Sequence, residues 1–226
     1  MTDGLFEGSV YFGVCVSLAA YAAGVWLRKK TGWSFMNPLL VSIVLVIAAL
    51  LVCGIGYGTY NESASWLSYL LTPATVCLAV PLYQQVDLLR KNSRAIICGI
   101  VGGALSGMTT VLLLALLFGF SHEAYVTFLP KSITTAIGMG VSEVSVTVVS
   151  IIVTGVLGNI MAEKVLAWLK IDEPVAKGIA IGSSSHAIGT AKAMEMGVVE
   201  GATSGLSIVV SGILTVVGAS LFALFL

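Results

Sequence analysis

Apolar positions along the chain gather into blocks separated by short polar stretches, and a membrane helix needs about 20 mostly apolar residues. Blocks of that kind run at about 8–27, 38–57, 66–83, 95–120, 146–168 and 202–226, which predicts six full spans. Two less clean apolar stretches remain, at about 124–145 and 174–195. Inside the first, residues 129–143 hold a proline, two glycines, four hydroxyls and two charges. Backbone interrupted in this way is tolerated at membrane depth only where it is buried in protein or lines a wet cavity. The expected fold is therefore an all-α polytopic membrane protein with about six spans and two broken or re-entrant segments.

Composition agrees with that pattern. Apolar residues make up 58% and charged residues 10%, against the roughly 25% charged residues of soluble domains, so a soluble domain is excluded. Eleven basic and eleven acidic residues cancel, leaving no field for a polyanion, and nucleic acid is not an expected partner. Asp3 and Glu7 precede the first block and Arg28, Lys29 and Lys30 follow it. A signal peptide has the opposite charge order, so the block reads as a true span with the N-terminus outside. The loops at Arg28–Lys30 and at Arg90, Lys91 and Arg94 read as cytoplasmic, and those at Asn61-Glu62 and Ser121-His122-Glu123 as outside. Lys164, Lys170 and Lys177 should again be cytoplasmic. That requires an odd number of crossings between about 123 and 164, so one of the two apolar stretches there should enter and leave by the same face. The four cysteines, Cys15, Cys53, Cys77 and Cys98, lie singly in apolar stretches and read as small apolar fillers.

The two awkward stretches resemble each other. Each runs from hydroxyls to Ala-Ile-Gly, at 136–138 and 187–189, and then to a glutamate, Glu143 or Glu195. The spans that follow share a core, Val153-Thr154-Gly155-Val156-Leu157 and Val210-Ser211-Gly212-Ile213-Leu214. One broken element plus one crossing per unit makes an inverted repeat in the C-terminal half. On this reading the chain is one membrane domain, with residues 1–120 a four-span scaffold and 121–226 a core of two units, about 124–168 and 174–226. Broken elements at matching places in inverted repeats point to a transporter's binding site. The expected helix breaks are Pro130, Gly138, Gly140, Gly182 and Gly189.

The candidate chemistry gathers at these breaks. Lys131, beside Ser132, Thr134 and Thr135, would suit a small carboxylate, since an ammonium at membrane depth needs a partner or a cavity; the alternative is a lysine that snorkels to the outer headgroups. His186, among Ser183, Ser184, Ser185 and Thr190, either relays a proton or holds the break by bonding to a hydroxyl or carbonyl. Lys192 and Glu195 are spaced to pair on one helical turn. Glu143 is either a coupling carboxylate or a residue back at the interface. Asn37-Pro38 marks a helix start, Pro73 and Pro81 a kink, and Asn159 a cross-helix hydrogen bond. Gly99, Gly103 and Gly107 have small-xxx-small spacing, read first as packing within the chain and second as a dimer seam. No metal site or cofactor is expected, and no enzyme constellation is present beyond a remote Ser184–His186 hydrolase alternative.

Several short motifs together resemble the CidB/LrgB family of bacterial membrane proteins. They are Asn37-Pro38-Leu39-Leu40-Val41, Pro73-Ala74-Thr75-Val76 with Ala79-Val80-Pro81-Leu82-Tyr83, Pro130-Lys131-Ser132-Ile133-Thr134-Thr135, and Ser185-His186-Ala187-Ile188-Gly189-Thr190-Ala191 followed by Glu200-Gly201-Ala202. They run in the family's order over almost the whole chain. Ala136 departs from the pattern, standing where the family usually places a proline. The resemblance implies a bacterial cytoplasmic-membrane protein that controls murein hydrolase activity and autolysis beside a small holin-like membrane partner. It also implies transport of pyruvate, glycolate or glycerate. By that resemblance a substrate role would fall on Lys131, Ser132, Thr134, Thr135, Ser185, His186 and Thr190. Ser184, in the same polar tract, is added as a candidate contact, and a homo-oligomer is expected.

Overall fold

The computed structural model describes residues 9, 11–32, 36–77, 79–132 and 144–226. Its described residues are almost entirely helical. They form two compact units, Met1–Cys77 and Leu78–Leu226.

The first unit contains α1 (Phe12–Thr31), α2 (Pro38–Cys53), α3 (Tyr57–Ala64) and α4 (Leu71–Cys77), with a 3-10 stretch at Ser65–Leu70. Asn37 caps α2 as its sequence predicts: its side chain accepts from Leu39 N at 2.8 Å, with Pro38 in the first turn. Helix α1 uses small residues to approach its neighbours. Gly13 N–H donates to Ser63 Oγ at 2.7 Å, and a Cβ on Gly24 would stand 3.0 Å from the Pro38 Cα.

The second unit contains α5 (Ala79–Gln84), α6 (Val86–Lys91), α7 (Ser93–Phe118), α8 (His122–Phe128), a 3-10 turn at Leu129–Ser132, α9 (Val144–Trp168), α10 (Pro174–Met196) and α11 (Val198–Phe222). Among the described residues, three helical stretches are long and apolar enough to cross a membrane: Ser93–Phe118, Val146–Trp168 and Val198–Phe225. They match three of the expected spans. The block at 66–83 is instead assembled from the 3-10 stretch, α4 and α5, with Pro73 in one short helix and Pro81 in the other. Met108, Val111, Ala115, Tyr125, Leu129 and Ala219 form a buried cluster that joins α7, α8 and α11. Tyr125 Oη donates to Phe222 O at 2.8 Å and fixes the far end of α11.

Helix α10 folds back on itself. His186, with φ 41° and ψ −141°, is the residue inside it with non-helical backbone. A Cβ on Gly189 would stand 3.0 Å from Ile181 Cγ2, although eight residues of straight helix would separate the two by about 12 Å. The neighbouring α11 records the reversal. Gly178 in the first half abuts Glu200 and Thr203, Gly182 abuts Ser204 and Ser207, Thr190 in the second half bonds Ser204, and Met194 returns to Gly201. Both ends of α10 thus lie beside the first turns of α11, and the tip at His186 lies farther along it. The segment at 174–195 is a helical hairpin, and each limb, at 1.5 Å per residue, reaches about half of a 30 Å hydrocarbon core.

Candidate functional site

The hairpin is held by helices chosen for small side chains. On α7, a Cβ at Gly99 would stand 3.2 Å from Ile179 Cγ2, and one at Gly103 would stand 2.7 Å from Ser183 Oγ. The glycine stripe on this helix therefore packs within the chain, while Gly107 faces the cavity described below. On α9, Gly155 receives the imidazole of His186, and Gly158 receives Ser185 so closely that a Cβ would overlap its hydroxyl. Asn159 Nδ2 donates to Ile188 O at 2.9 Å, so α9 grips the chain on both sides of the turn.

His186 is buried, and its Nε2 lies 2.8 Å from Ile151 O. A carbonyl only accepts, so this nitrogen carries the proton. The bond needs Gly155, because a side chain one turn beyond Ile151 would cover that carbonyl. Of the two sequence readings of His186, the geometry is that of a histidine that holds the break. Gly182 and Gly189 have a different part from the one expected. Both sit in helical backbone, and the turn falls at His186 between them. Their missing side chains admit Ser204 on one side and the opposite limb of the hairpin on the other. Thr190 Oγ1 lies 2.6 Å from Ser204 Oγ and joins the hairpin to α11.

One limb of the hairpin, near its tip, opens on a cavity of about 490 Å³. Lys131 and Ser106, Thr110, Thr154, Ser183, Ser184 and Ser185 line it, beside the small residues Gly103, Gly107, Gly158 and Ala180. Lys131 is half-buried, in the 3-10 turn Leu129–Ser132 that follows α8, next to the buried Pro130. It is the charged side chain among the described lining residues. An ammonium in a partly dry site is suited to a small anion, while the hydroxyls of Ser106, Thr110, Ser183 and Ser184 donate to carbonyls of their own helices and turn lone pairs to the cavity. Ser184 Oγ donates to Ala180 O at 2.7 Å and lies 3.0 Å from Ser185 Oγ. With His186 turned to Ile151, these bonds do not form the serine–histidine pair of a hydrolase.

Thr134, Thr135, Gly138, Gly140 and Glu143 lie outside the described residues, as does the side chain of Ser132. Thr147 Oγ1 donates to Thr127 O at 3.2 Å, which places the described ends flanking that stretch side by side. Lys192 is 3.2 Å from Glu195 at the spacing of one turn, and 2.7 Å from Glu163 on α9. Glu163 was not singled out by the sequence, nor were the cavity residues Ser106 and Thr110. Both of the latter are exposed and stand singly within an apolar run of sequence, where their polarity has little weight in a hydropathy window. Among the described residues, no group of His, Cys, Asp or Glu could hold a metal ion.

The chain is similar to proteins of known sequence over nearly its whole length. It is 38% identical to the antiholin-like protein LrgB of Bacillus subtilis (strain 168) over 214 residues, covering 92% of this chain and 93% of that protein. It is 34% identical to the holin-like protein CidB of Staphylococcus aureus (strain N315) over 207 residues, 89% of this chain and 90% of that protein. The holin-like protein CidB of Staphylococcus epidermidis (strain ATCC 12228) is 32% identical over the same shares. No solved structure matches. Residues 17–225 match the LrgB-like family, and the chain, an all-α protein with helices of membrane-spanning length and composition, belongs to that family.

Proposed function

We propose that this protein carries small carboxylates of the pyruvate, glycolate or glycerate type across the bacterial cytoplasmic membrane, and that this activity is linked to control of murein hydrolases and autolysis. The observation that carries the reading is the convergence of Lys131 with the hydroxyls of α7, α9 and the hairpin on one cavity. A lysine that only snorkelled to the headgroups would not share a cavity with the serines near a hairpin tip. Ser132, Thr134 and Thr135 follow Lys131 in the chain and are proposed as further contacts, while His186 and Thr190 act by positioning the tip. The basic loops are cytoplasmic and the N-terminus outside on this reading, and copies of the chain assemble as a homo-oligomer. No catalytic step is assigned.

Purified protein in liposomes is expected to take up labelled pyruvate, glycolate or glycerate, with uptake lost in Lys131→Ala. Absence of uptake for every small carboxylate would overturn the proposal. A second reading is supported by the names of the relatives, antiholin-like and holin-like: a regulator that does not transport and works by binding a small holin-like membrane protein. Co-purification with such a partner, from membranes in which Lys131→Ala leaves lysis control unchanged, would favour it.

A further inference from the structure

The hydroxyls around Lys131 can accept hydrogen bonds but have few hydrogens left to give. A carbonyl only accepts. Ser106 Oγ, 3.0 Å from Gly103 O, and Thr110 Oγ1, 2.7 Å from Ser106 O, have therefore committed their hydrogens to the backbone of α7. Ser183 Oγ is engaged in the same way with Ile179 O at 2.8 Å, and Ser184 Oγ with Ala180 O. Because the Ser184 hydrogen is already used, the 3.0 Å contact between Ser184 and Ser185 has Ser185 as its donor. Of the lining hydroxyls, Thr154 on α9 has no such bond among the described residues and is left to donate. The cavity thus presents one ammonium and a wall of lone pairs from α7 and the hairpin.

We infer that this wall selects the second polar group of the ligand. The site takes a hydroxy acid in preference to an oxo acid of the same length, with the carboxylate at Lys131 and the hydroxyl donating to oxygens of Ser106, Thr110, Ser183 or Ser184. This rests on the carboxylate reading of the cavity and narrows it. A hydroxyl brings the hydrogen that the wall lacks. An oxo oxygen brings only lone pairs, and a serine could donate to it only by leaving its own helix carbonyl. An ammonium in that place would also donate, but it would share the cavity with Lys131 and be repelled by it. One hydrogen bond gained is worth about threefold to tenfold in affinity.

Calorimetric titration of the full-length protein in detergent tests this with three-carbon ligands: propionate, pyruvate, lactate, 3-hydroxypropionate and alanine, with propane-1,2-diol as a neutral control. The better of the two hydroxy acids is expected to bind about threefold to tenfold more tightly than propionate, and pyruvate no more tightly than propionate. Ser106→Ala combined with Thr110→Val removes lone pairs from α7, and Ser184→Ala removes them from the hairpin, all at exposed positions where the fold tolerates the change. At least one of these two variants should bring the ratio of hydroxy acid to propionate affinity close to one, and Lys131→Ala should weaken every acid. Pyruvate binding as tightly as the hydroxy acids, or alanine binding more tightly, would overturn this inference and leave the carboxylate reading standing. So would a ratio that neither variant lowers, because the hydroxyl would then be recognised elsewhere. A diol that binds as tightly as lactate would count against the carboxylate reading and leave the accepting wall in place, and no binding by any of the ligands would sink both.

Discussion

His186 Nε2 donates to Ile151 O across 2.8 Å, at the residue where the backbone of α10 leaves helical geometry. The two residues are 35 positions apart, and the bond exists because Gly155 exposes the Ile151 carbonyl to a second donor. The same pair decides where the hairpin turns. Its tip carries Ser184 and Ser185 to the cavity, so the imidazole places hydroxyls that it does not itself accompany.

His186 combines a favourable bond with an unfavourable backbone, and substitutions should separate the two. His186→Ala loses the bond and keeps a Cβ at φ 41°. His186→Gly loses the bond and relieves the backbone. Both should unfold at lower temperature in detergent than the parent, by about 1–3 kcal/mol for the lost buried partner. The glycine variant should recover about 1 kcal/mol of the alanine variant's loss. Alanine proving the more stable of the two would contradict the tip geometry.

The glycines on α9 should be intolerant of any side chain, whereas a glycine on α7 should not. A Cβ on Gly155 would stand 2.6 Å from His186 Cε1, while one on Gly102 would meet nothing within 4 Å. Gly155→Val is expected to cost about 1–3 kcal/mol through overpacking. Gly102→Ala should be neutral or stabilising by up to about 1 kcal/mol, as alanine is the better helix former. Thermal unfolding of the two variants side by side checks this, and equal effects would count against the α9–hairpin contact.

Much of this fold was legible because long apolar runs carry their own signal. The blocks at 95–120, 146–168 and 202–226 became α7, α9 and α11, Asn37 and Pro38 opened α2, and Asn159 found a partner on another helix. The polar tract at 182–195 was legible as a break, but the position of the turn was not. Glycine is the default residue for unusual backbone, which pointed to Gly182 and Gly189. A histidine took the turn instead, since a carbonyl on α9 rewards its side chain there, and such a distant partner leaves no local mark. Lys131 stood out as a charge in an apolar stretch. The glycines of α7 were legible as a close-packing face, but the direction in which Ser106 and Thr110 point followed only from the packing.

Lys192 joins two elements through one ammonium, and the two pairs should have unequal weight. Its contact to Glu163 bridges α9 and the hairpin at 2.7 Å, and its contact to Glu195 is a local one at 3.2 Å. Both glutamates are more than half exposed, so each pair should contribute less than about 1 kcal/mol and weaken in high salt. Double-mutant cycles with Glu163→Gln and Glu195→Gln against Lys192→Met should give the larger coupling energy to Glu163. A larger value for Glu195 would mean that the hairpin is not tied to α9 at this point.

The hairpin makes a topological prediction that does not depend on any substrate. If α10 enters and leaves by one face, Glu173 before it and Gly197 after it lie on the same side of the membrane. The C-terminus, one α11 away, then lies on the other. With Cys15, Cys53, Cys77 and Cys98 replaced by serine, single cysteines introduced as Glu173→Cys, Gly197→Cys and Leu226→Cys can be labelled in right-side-out and inverted vesicles by a reagent that does not cross lipid. The first two should react from the same side and the third from the opposite side. A full crossing by α10 would instead put the Glu173 and Gly197 positions on opposite sides and return the C-terminus to the side of Glu173. The tip at His186 would then be a kink in a span, and the serines would lie partway along a crossing helix instead of near the end of a limb that stops inside the protein.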